Sequence, residues 1–327
     1  MKSKLYPKVR LLNYQGISCN NSLWIRGRLV KENTVLPPTE NDSLLRNMRN
    51  SFRRVMATGL PNQKGTLTVE GQSFEFQTDR KGFFDLHIEE TAIAEDAPLR
   101  LDAEWNFENV PFDCKTPETI YHINRNLPFA IISDIDDTVV HTFVEYKSQA
   151  VIRTMLGNAF TKDAIDGAAN FLNKVSKFKR KKNTHYPVFY VSRSPYQIYD
   201  VIKDFFDLND FPDGPILLKN IWLHSSYSQR DILREQKFNN LVRIMTMTAP
   251  MPFILLGDSA ELDAIIYLNL AKQFPGRVKR IYIRRVSKGP LLEKLIHAIN
   301  RFPDNELVCF FKYYHQLKED AREQGIF

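Results

Sequence analysis

The sequence predicts an α/β protein of two domains, in which a parallel sheet with helices on both faces follows a smaller β-sandwich-like domain. The chain has 327 residues, about twice the length of an average domain. Its first part contains short apolar–polar alternations, which are typical of antiparallel strands. After residue 128, unbroken apolar segments alternate with helical patterns, which is typical of a parallel sheet. We therefore place the domains at residues 1–127 and 128–327.

The composition is that of an ordinary globular protein with a basic balance. Hydrophobic residues make up 43% and charged residues 25% of the chain. Lysine and arginine total 45 against 38 acidic residues, a net charge of +7 that is compatible with an anionic partner without specifying one. The chain shows no obvious nucleic-acid-binding module, because aromatic and basic residues interleave only sparsely.

The cysteine spacing and the lengths of the apolar segments indicate the cellular compartment in which the protein is expected. Cys19, Cys114 and Cys309 are far apart and form no C-x-x-C pair, so neither a disulfide framework nor a zinc site is expected. Residues 1–10 lack the apolar centre of a signal peptide, and no apolar run approaches the roughly 18 residues of a membrane-spanning helix. We expect a cytoplasmic protein, with peripheral binding to a membrane as the alternative.

The first domain is predicted to contain about six short strands and one helix. A turn region with Gly16, Asn20 and Asn21 joins the first two strands, and Gly82 suits the turn at 78–82. A helix is predicted at 42–57, where four arginines (Arg46, Arg49, Arg53, Arg54) interleave with apolar residues. A solvated face explains these arginines best, with an anion-binding face as the alternative. The predicted strands are 9–14, 23–30, 67–69, 74–76, 84–88 and 99–105, and residues 106–127 are predicted to be a linker.

The second domain is predicted to alternate strands and helices. Its strands are expected at 129–133, 188–192, 215–218, 252–256, 278–283 and 308–311. Its helices are expected at 142–157, 164–177, 195–207, 230–247, 260–273 and 290–300, followed by a charged final helix.

A carboxylate cluster follows the first of these strands. The apolar run 129–133 leads directly to Asp134, Asp136, Asp137 and Thr138. Ligands bind at the carboxyl ends of strands in open α/β sheets, and two close aspartates repel each other unless a cation or a reaction uses them. A calcium loop is the alternative, but Val139 stands where that loop needs glycine and further ligands.

Polar residues also follow two later strands. Ser192 ends the strand 188–192, and Gly257 and Asp258 end another, with Asp263 five residues further on. Lys237 lies in the helix that precedes this last strand. Carboxylates suit octahedral Mg²⁺, whereas a hydroxyl and an ammonium group suit the oxygens of a phosphate. The sequence therefore predicts a phosphate and magnesium site built from four segments.

The order of these residues resembles the motif order of the haloacid dehalogenase superfamily, D-x-D-x-T, Ser/Thr, Lys and G-D-x-x-x-x-D. Several longer segments are similar to the phosphatidate phosphatases of the actin-patch-protein type, and the similarity extends from about residue 9 to residue 300. The segments are Ile132–Val139 (ISDIDDTV), Tyr190–Pro195 (YVSRSP), Phe253–Ser259 (FILLGDS), Phe274–Val278 (FPGRV) and Ile281–Arg284 (IYIR), and in the first domain Asn13–Gly16, Gly27–Val30 and Thr78–Phe83.

The resemblance implies a Rossmann-like fold and a role for each residue. Asp134 is then the nucleophile that forms an aspartyl-phosphate, and Asp136 is the acid and base. The phosphate ligands implied are Thr138, Ser192 and Lys237, with Lys219 as the alternative lysine. The Mg²⁺ ligands implied are Asp134, the backbone carbonyl of Asp136 and Asp258. Asp263 is implied either as a further Mg²⁺ ligand or as a residue that contacts one of these ligands.

The chain departs from the family pattern beside the motifs. Arg193 replaces a small residue, Ala260-Glu-Leu replaces a segment resembling Gly-Gln-Lys, and Ala264 replaces a proline. The resemblance further implies that residues 139–187 lie above the site as a cap. The basic run at 177–182 would then have a second role, contact with an anionic membrane, as an alternative to a solvated helix end.

Three functions remain open from the sequence. The first is a magnesium-dependent phosphatidate phosphatase of lipid metabolism. The second keeps the same chemistry for another phosphomonoester, either a soluble metabolite or a nucleic-acid end. The third is a catalytically silent scaffold, although all the expected polar positions are filled.

Overall fold

The computed structural model describes residues 9–31, 58–95, 97–108, 110, 118–141, 164–177, 185–219, 229–260, 262–286 and 289–327. These residues form two compact units, one ending at Asn124 and the other beginning at Arg125. This division lies within a few residues of the boundary placed between 127 and 128 from the sequence. The helix predicted at 42–57 and the helix predicted at 142–157 lie outside the described residues.

The first unit contains one seven-stranded sheet among its described residues. Of the six neighbouring strand pairs in this sheet, five are antiparallel and one, between β1 and β7, is parallel. The strand order is β4-β3-β6-β7-β1-β2-β5. The strands are β1 (Val9–Cys19), β2 (Ser22–Lys31), β3 (Lys64–Val69), β4 (Gln72–Gln77), β5 (Phe83–Ile88), β6 (Arg100–Phe107) and β7 (Glu118–His122).

The core of this unit comes from period-two alternation. In β6, Leu101, Ala103, Trp105 and Phe107 are buried while the residues between them are exposed. The ring of Phe76 in β4 lies 4.9 Å from the ring of Phe84 in β5, so the two outer strands of the sheet approach each other. The described strands form one sheet, and the two-sheet arrangement of a sandwich is not confirmed.

Two details of the first unit differ from the prediction. Gly16 lies within β1 opposite Ile25, and the turn itself is made by Asn20 and Asn21 alone, at φ of 51° and 59°. The segment 106–127 was predicted to be a linker, but β7 lies inside it, paired with β6 and β1. The prolines around β7 favoured the prediction of a linker. The strand itself is determined by its pairing with β6 and β1, which the local sequence does not show. At Gly82 the predicted turn is confirmed, with φ of 81°.

The second unit contains a six-stranded parallel sheet with the order β10-β9-β8-β11-β12-β13. Its strands are β8 (Ala130–Ser133), β9 (Val188–Pro195), β10 (Ile216–Lys219), β11 (Phe253–Asp258), β12 (Val278–Arg284) and β13 (Val308–Phe311). Its helices are α1 (Ala168–Ser176), α2 (Tyr199–Leu208), α3 (Gln229–Met247), α4 (Asp263–Gln273), α5 (Pro290–Ile299) and α6 (Leu317–Glu323). The predicted α/β class with a parallel sheet is confirmed.

The two central strands, β8 and β11, are buried along their whole length. Such continuous apolar strands require cover on both faces of the sheet. Strand β8 is central in the sheet and fully buried, in agreement with its unbroken apolar run. The carboxylate cluster follows its carboxyl end.

Helix α1 lies in the segment predicted to cap the site, and its described residues pack elsewhere. The ring of Phe171 contacts the rings of Tyr282 in β12 and Tyr314 beyond β13. This part of 139–187 therefore packs against the sheet and the C-terminal segment, because its apolar face needs a partner there. Of the basic run at 177–182, only Lys177 is among the described residues.

In the described part of the chain, no helix has both the length and the apolar composition needed to cross a membrane.

Candidate active site

The polar residues predicted from the sequence gather at the carboxyl ends of three adjacent strands. In the sheet, β8 lies between β9 and β11, and all three run in the same direction. Asp134 follows β8, Ser192 lies near the end of β9, and Asp258 ends β11. This is the edge at which α/β sheets bind ligands.

Asp134 is held from three sides. Its exposed fraction is 1%. Its backbone N–H donates to the carbonyl of Leu256 at 2.9 Å, and Oδ1 accepts from Nζ of Lys237 at 2.6 Å. Its Oδ2 lies 3.5 Å from the hydroxyl oxygen of Thr138, a long contact. The carboxylate of Asp134 therefore has one oxygen fixed by an ammonium group and the other only weakly bound.

Lys237 extends from α3 and joins two aspartates. Nζ of this buried lysine lies 2.6 Å from Oδ1 of Asp134 and 2.6 Å from Oδ1 of Asp263. Lys219, the alternative lysine, is at the end of β10, where burial and the charge of Arg193 lower its pKa. Among the described residues, Lys237 is thus the lysine that reaches Asp134.

Three buried carboxylates form a group that could hold a cation. Ligand oxygens of Asp134, Asp258 and Asp263 all lie within 4.8 Å of one another. The ammonium group of Lys237 contacts two of these three carboxylates, so the cluster combines three carboxylates with one contacting ammonium group among the described residues. A cluster of this composition is costly in a low-dielectric interior unless a cation neutralises it.

The pKa shifts of the cluster arise from burial and from the charges of the neighbouring residues. Burial raises the pKa of Asp134 well above its usual value, and the charges of Asp263 and Asp258 add to this although Lys237 opposes it. Burial and the charge of Asp263 likewise raise the pKa of Asp258. Burial lowers the pKa of Lys237, but Asp134 and Asp263 outweigh it, so that this pKa is raised and the ammonium form persists.

The donor set fits Mg²⁺. Hard divalent cations prefer carboxylate oxygens, and three buried carboxylates supply such oxygens here. Moreover, Oδ2 of Asp263 is buried and has no hydrogen-bond partner among the described residues. The carboxylate of Asp136 is not part of this group. The contact predicted for its backbone carbonyl stays a prediction.

Gly257 explains why glycine precedes the aspartate at the end of β11. A Cβ atom at this position would lie 2.6 Å from both Cβ and Oδ2 of Asp263. Real Cβ contacts are not this short, so any side chain at 257 would displace Asp263. The glycine thus allows the first turn of α4 to pack directly against the strand.

Asp136 has an environment different from that of Asp134. Its Oδ2 accepts one hydrogen bond from the hydroxyl of Ser192 and one from the hydroxyl of Ser194, both at 2.7 Å. Ser192, predicted to bind phosphate, contacts Asp136 in this structure. The backbone N–H of Ser194 also donates to Oγ of Ser192 at 2.8 Å. Ser194 was missed from the sequence, although two serines at a spacing of two in a strand share a face.

The loop after β8 is held by residues from the far end of the chain. Asp137 has φ of 54°, and its backbone carbonyl accepts from Nη1 of Arg284 at 2.8 Å. The buried hydroxyl of Tyr314 donates to the carbonyl of Thr138, also at 2.8 Å. These two anchors were missed from the sequence, because nothing in the local pattern connects positions more than a hundred residues apart.

The segment that carries the site is similar to a known protein family. Residues 129–285 match the family described as "Phosphatidate phosphatase APP1, catalytic domain". All of the site residues above except Tyr314 lie in this segment. The resemblance predicted from the sequence is confirmed for residues 129–285, the segment that is similar to this family.

Two curated yeast proteins are similar to the chain. It is 30% identical over 197 residues to "Phosphatidate phosphatase APP1" of Saccharomyces cerevisiae, which covers 60% of this chain and 31% of the yeast protein. It is also 30% identical over 188 residues to an uncharacterized protein of Schizosaccharomyces pombe, over 56% of this chain and 29% of that protein. The aligned part thus spans less than a third of each relative.

Solved structures give only weak similarity. The "Structure of Pnkp1/Rnl/Hen1 complex" matches with a TM-score of 0.33 and 15% identity, over 56% of this chain and 55% of that chain. A TM-score this low does not indicate a shared fold.

Proposed function

We propose that this chain hydrolyses a phosphomonoester in a magnesium-dependent reaction, and that its substrate is phosphatidate, which is converted to diacylglycerol and phosphate. The observation that carries the proposal is the buried contact of Lys237 with Asp134 and Asp263, inside the segment that matches the phosphatidate phosphatase family. The curated relative named as a phosphatidate phosphatase supports the substrate.

Asp134 acts as the nucleophile in the proposed mechanism. Lys237 fixes Oδ1, so the opposite oxygen, Oδ2, is directed at the phosphorus atom. Attack forms a bond between this oxygen and phosphorus and breaks the bond from phosphorus to the ester oxygen. Magnesium, when bound by the three aspartates, supplies positive charge that allows a carboxylate to approach a phosphate dianion. The product of this step is an aspartyl-phosphate at residue 134.

Asp136 supplies and removes the proton. An alkoxide leaving group is about as basic as hydroxide, whose parent acid has a pKa of roughly 15.7 in bulk water, so it needs a proton as it departs. The hydroxyls of Ser192 and Ser194 hold Oδ2 of Asp136, and the other carboxyl oxygen carries the proton to the leaving group. The resulting carboxylate then accepts a proton from the water that hydrolyses the aspartyl-phosphate. Such proton transfer contributes roughly 10²–10⁴-fold to the rate.

The positions of these residues relative to the strands support the proposal that the second unit belongs to the haloacid dehalogenase superfamily. Its nucleophile follows a central strand of a parallel sheet, and its other polar residues follow the neighbouring strands. Phosphate contacts by Thr138 and Lys237 are part of this proposal, as is a cytoplasmic location. Ser192 would donate to the phosphate only after its hydroxyl turns away from Asp136, which Ser194 would then hold alone.

The test is phosphate release from short-chain phosphatidate. We expect release with Mg²⁺, loss of release with EDTA, and loss in the Asp134→Asn variant. Asp102→Asn, a change at an exposed position of β6, is the matched control and should keep full activity.

Two outcomes contradict different parts of the proposal. Phosphate release from soluble monoesters alone would keep the chemistry and exclude phosphatidate. A metal-loaded protein that hydrolyses none of a panel of phosphomonoesters would instead be a silent scaffold.

A further inference from the structure

Arg284 joins two parts of the chain that both border the candidate active site. It is the last residue of β12, where it pairs with Asp258, the last residue of β11. Its backbone carbonyl accepts from the N–H of Ser259 at 2.9 Å, and its Nη1 donates to the backbone carbonyl of Asp137 at 2.8 Å. One residue therefore contacts both the end of β11 and the loop after β8.

The loop after β8, residues 134–140, is bonded into one compact piece. The carbonyl of Ile135 accepts from the N–H of Val140 at 3.1 Å, and the carbonyl of Val140 accepts from the N–H of Asp137 at 2.9 Å. These bonds close the loop on itself, and each peptide unit within it is rigid. A displacement of Asp137 therefore also displaces its neighbour Asp136.

The backbone conformation of Asp137 needs support from its surroundings. Its φ of 54° is in the left-handed region, which residues other than glycine seldom occupy and which surrounding contacts must stabilise. The guanidinium of Arg284 is a charged donor to the carbonyl of this residue, and a charged donor makes a stronger hydrogen bond than a neutral one. The hydroxyl of Tyr314 holds the next carbonyl, that of Thr138. Two successive carbonyls of the loop are thus held by side chains from β12 and from the segment after β13.

The side chain of Arg284 contributes to stability in two opposite ways. Arg284 is half-buried, and its Nε is shielded from solvent and has no hydrogen-bond partner among the described residues. A buried donor without a partner lowers the free energy of unfolding, whereas the bond from Nη1 to Asp137 raises it. Because these effects oppose each other, the main consequence of this arginine is where it holds the loop after β8.

We propose that Arg284 is a positioning residue, which aligns the loop after β8 with the end of β11 so that Asp134 and Asp136 face the reacting phosphate. Arg284 acts through the backbone carbonyl of Asp137 and takes no part in the bonds that form and break. This inference rests on the proposed function, because the alignment serves the proposed nucleophile and the proposed acid and base. It adds to that function a residue from a strand that carries none of the reacting groups.

The kinetic test compares Arg284→Met with Arg284→Lys in the whole chain, using a soluble phosphomonoester and Mg²⁺. Arg284→Met should lower kcat about 10- to 100-fold, since a misplacement of about 1 Å is enough for a loss of this size. KM should change by less than about threefold, because Lys237 reaches the site from α3 without Arg284. Arg284→Lys keeps a cationic donor and should restore kcat to within about threefold of the wild type.

Hydrogen–deuterium exchange tests the same contact without substrate or metal. The backbone amides of residues 137–140 should exchange about tenfold faster in Arg284→Met than in the wild type, whereas those of β8 should keep their protection. Arg285→Met is the matched control for both experiments, because Arg285 is the next residue, is exposed and lies over the ring of Phe310. It should leave kcat and the exchange of residues 137–140 within about twofold of the wild type.

The outcomes separate the positioning role from the proposed function. An Arg284→Met variant with the exchange of the wild type at residues 137–140 would overturn the positioning role, whatever its kcat. Faster exchange throughout the second unit would also overturn it, because Arg284 would then support the fold in general. If the wild type hydrolysed no phosphomonoester, only the proposed function would fail, since faster exchange confined to residues 137–140 would still show that Arg284 holds this loop.

Discussion

Asp134 and Asp136 are two residues apart in one loop, yet their carboxyl groups have different neighbours. Asp134 contacts the ammonium group of Lys237, whereas Asp136 accepts hydrogen bonds from two serine hydroxyls. The different roles proposed for the two residues, nucleophile and acid/base, rest on this difference in local partners.

The serine pair on Asp136 gives the first prediction at the scale of single residues. Ser194→Ala removes one of two hydrogen bonds to Oδ2 and should lower kcat about tenfold, with little change in KM. Steady-state kinetics with a soluble phosphomonoester measure both constants. Ser73→Ala, in the other unit, is the control. A raised KM with unchanged kcat would instead assign Ser194 to substrate binding.

Gly257 gives the second prediction. Gly257→Ala places a methyl group against Asp263 and should displace its carboxylate, so the Mg²⁺ concentration for half-maximal activity should rise about tenfold or more. A Mg²⁺ titration of activity measures the effect. Gly71→Asn is the control, because Gly71 has open space around it and a left-handed φ that asparagine tolerates. Unchanged Mg²⁺ dependence would show that Asp263 does not act in metal binding.

Single residues also show where sequence reasoning succeeds and where it stops. Asp134, Ser192 and Asp258 could be found because each lies in or directly after a strand with an unbroken apolar run. Asp137 had no predicted role, and its φ of 54° now explains it as a turn residue in the left-handed region, where aspartate is among the better-tolerated side chains. Backbone conformation of this kind leaves no periodic signal.

At the scale of elements, the segment after β13 supports the loop after β8. Tyr314 packs against Phe171 of α1 and Phe311 of β13, and its hydroxyl donates to the carbonyl of Thr138. This links the loop that carries the proposed nucleophile to a part of the chain beyond the family match.

Removal of this hydroxyl gives the third prediction. Tyr314→Phe leaves the buried carbonyl of Thr138 without this donor and should lower the free energy of unfolding by about 1–3 kcal/mol. Urea denaturation measures the change. Tyr313→Phe, at a half-exposed position, should change it by less than about 0.5 kcal/mol. Equal effects of the two variants would contradict the role assigned to Tyr314.

The elements of the parallel sheet could be predicted, whereas one strand of the first unit could not. Strands β8 and β11 are buried runs of the type that parallel sheets require. Strand β7 is five residues long and follows a proline-containing stretch, and its partners β6 and β1 are determined only by tertiary pairing. Its existence therefore depends on contacts that local sequence does not encode.

For the whole molecule, the buried carboxylates make the free energy of unfolding depend on the pH and on the Mg²⁺ concentration. Because the folded-state pKa values of Asp134 and Asp258 are raised, the metal-free fold is favoured at low pH, and that contribution is lost as the pH rises through the raised values. Mg²⁺ requires the deprotonated carboxylates, so its stabilising effect should grow with pH.

This gives the fourth prediction. The increase in Tm caused by Mg²⁺ over EDTA should be larger at about pH 8 than at about pH 5. Thermal unfolding at both values measures it, and the Asp258→Asn, Asp263→Asn double variant should show little increase at either. An increase that is the same at both pH values would contradict metal binding by these carboxylates.

The hydrogen bond from Tyr314 to the loop after β8 determines where a shorter fragment of this chain can end. A recombinant fragment ending at residue 285, where the family match ends, would turn β12 into an open edge strand that invites self-association. It would also lose Asp320, which accepts hydrogen bonds from Arg280 and Tyr282 of that strand. A fragment or chimera that is to keep the loop after β8 intact should therefore extend through the buried Ile326, which is 41 residues past residue 285, where the family match ends.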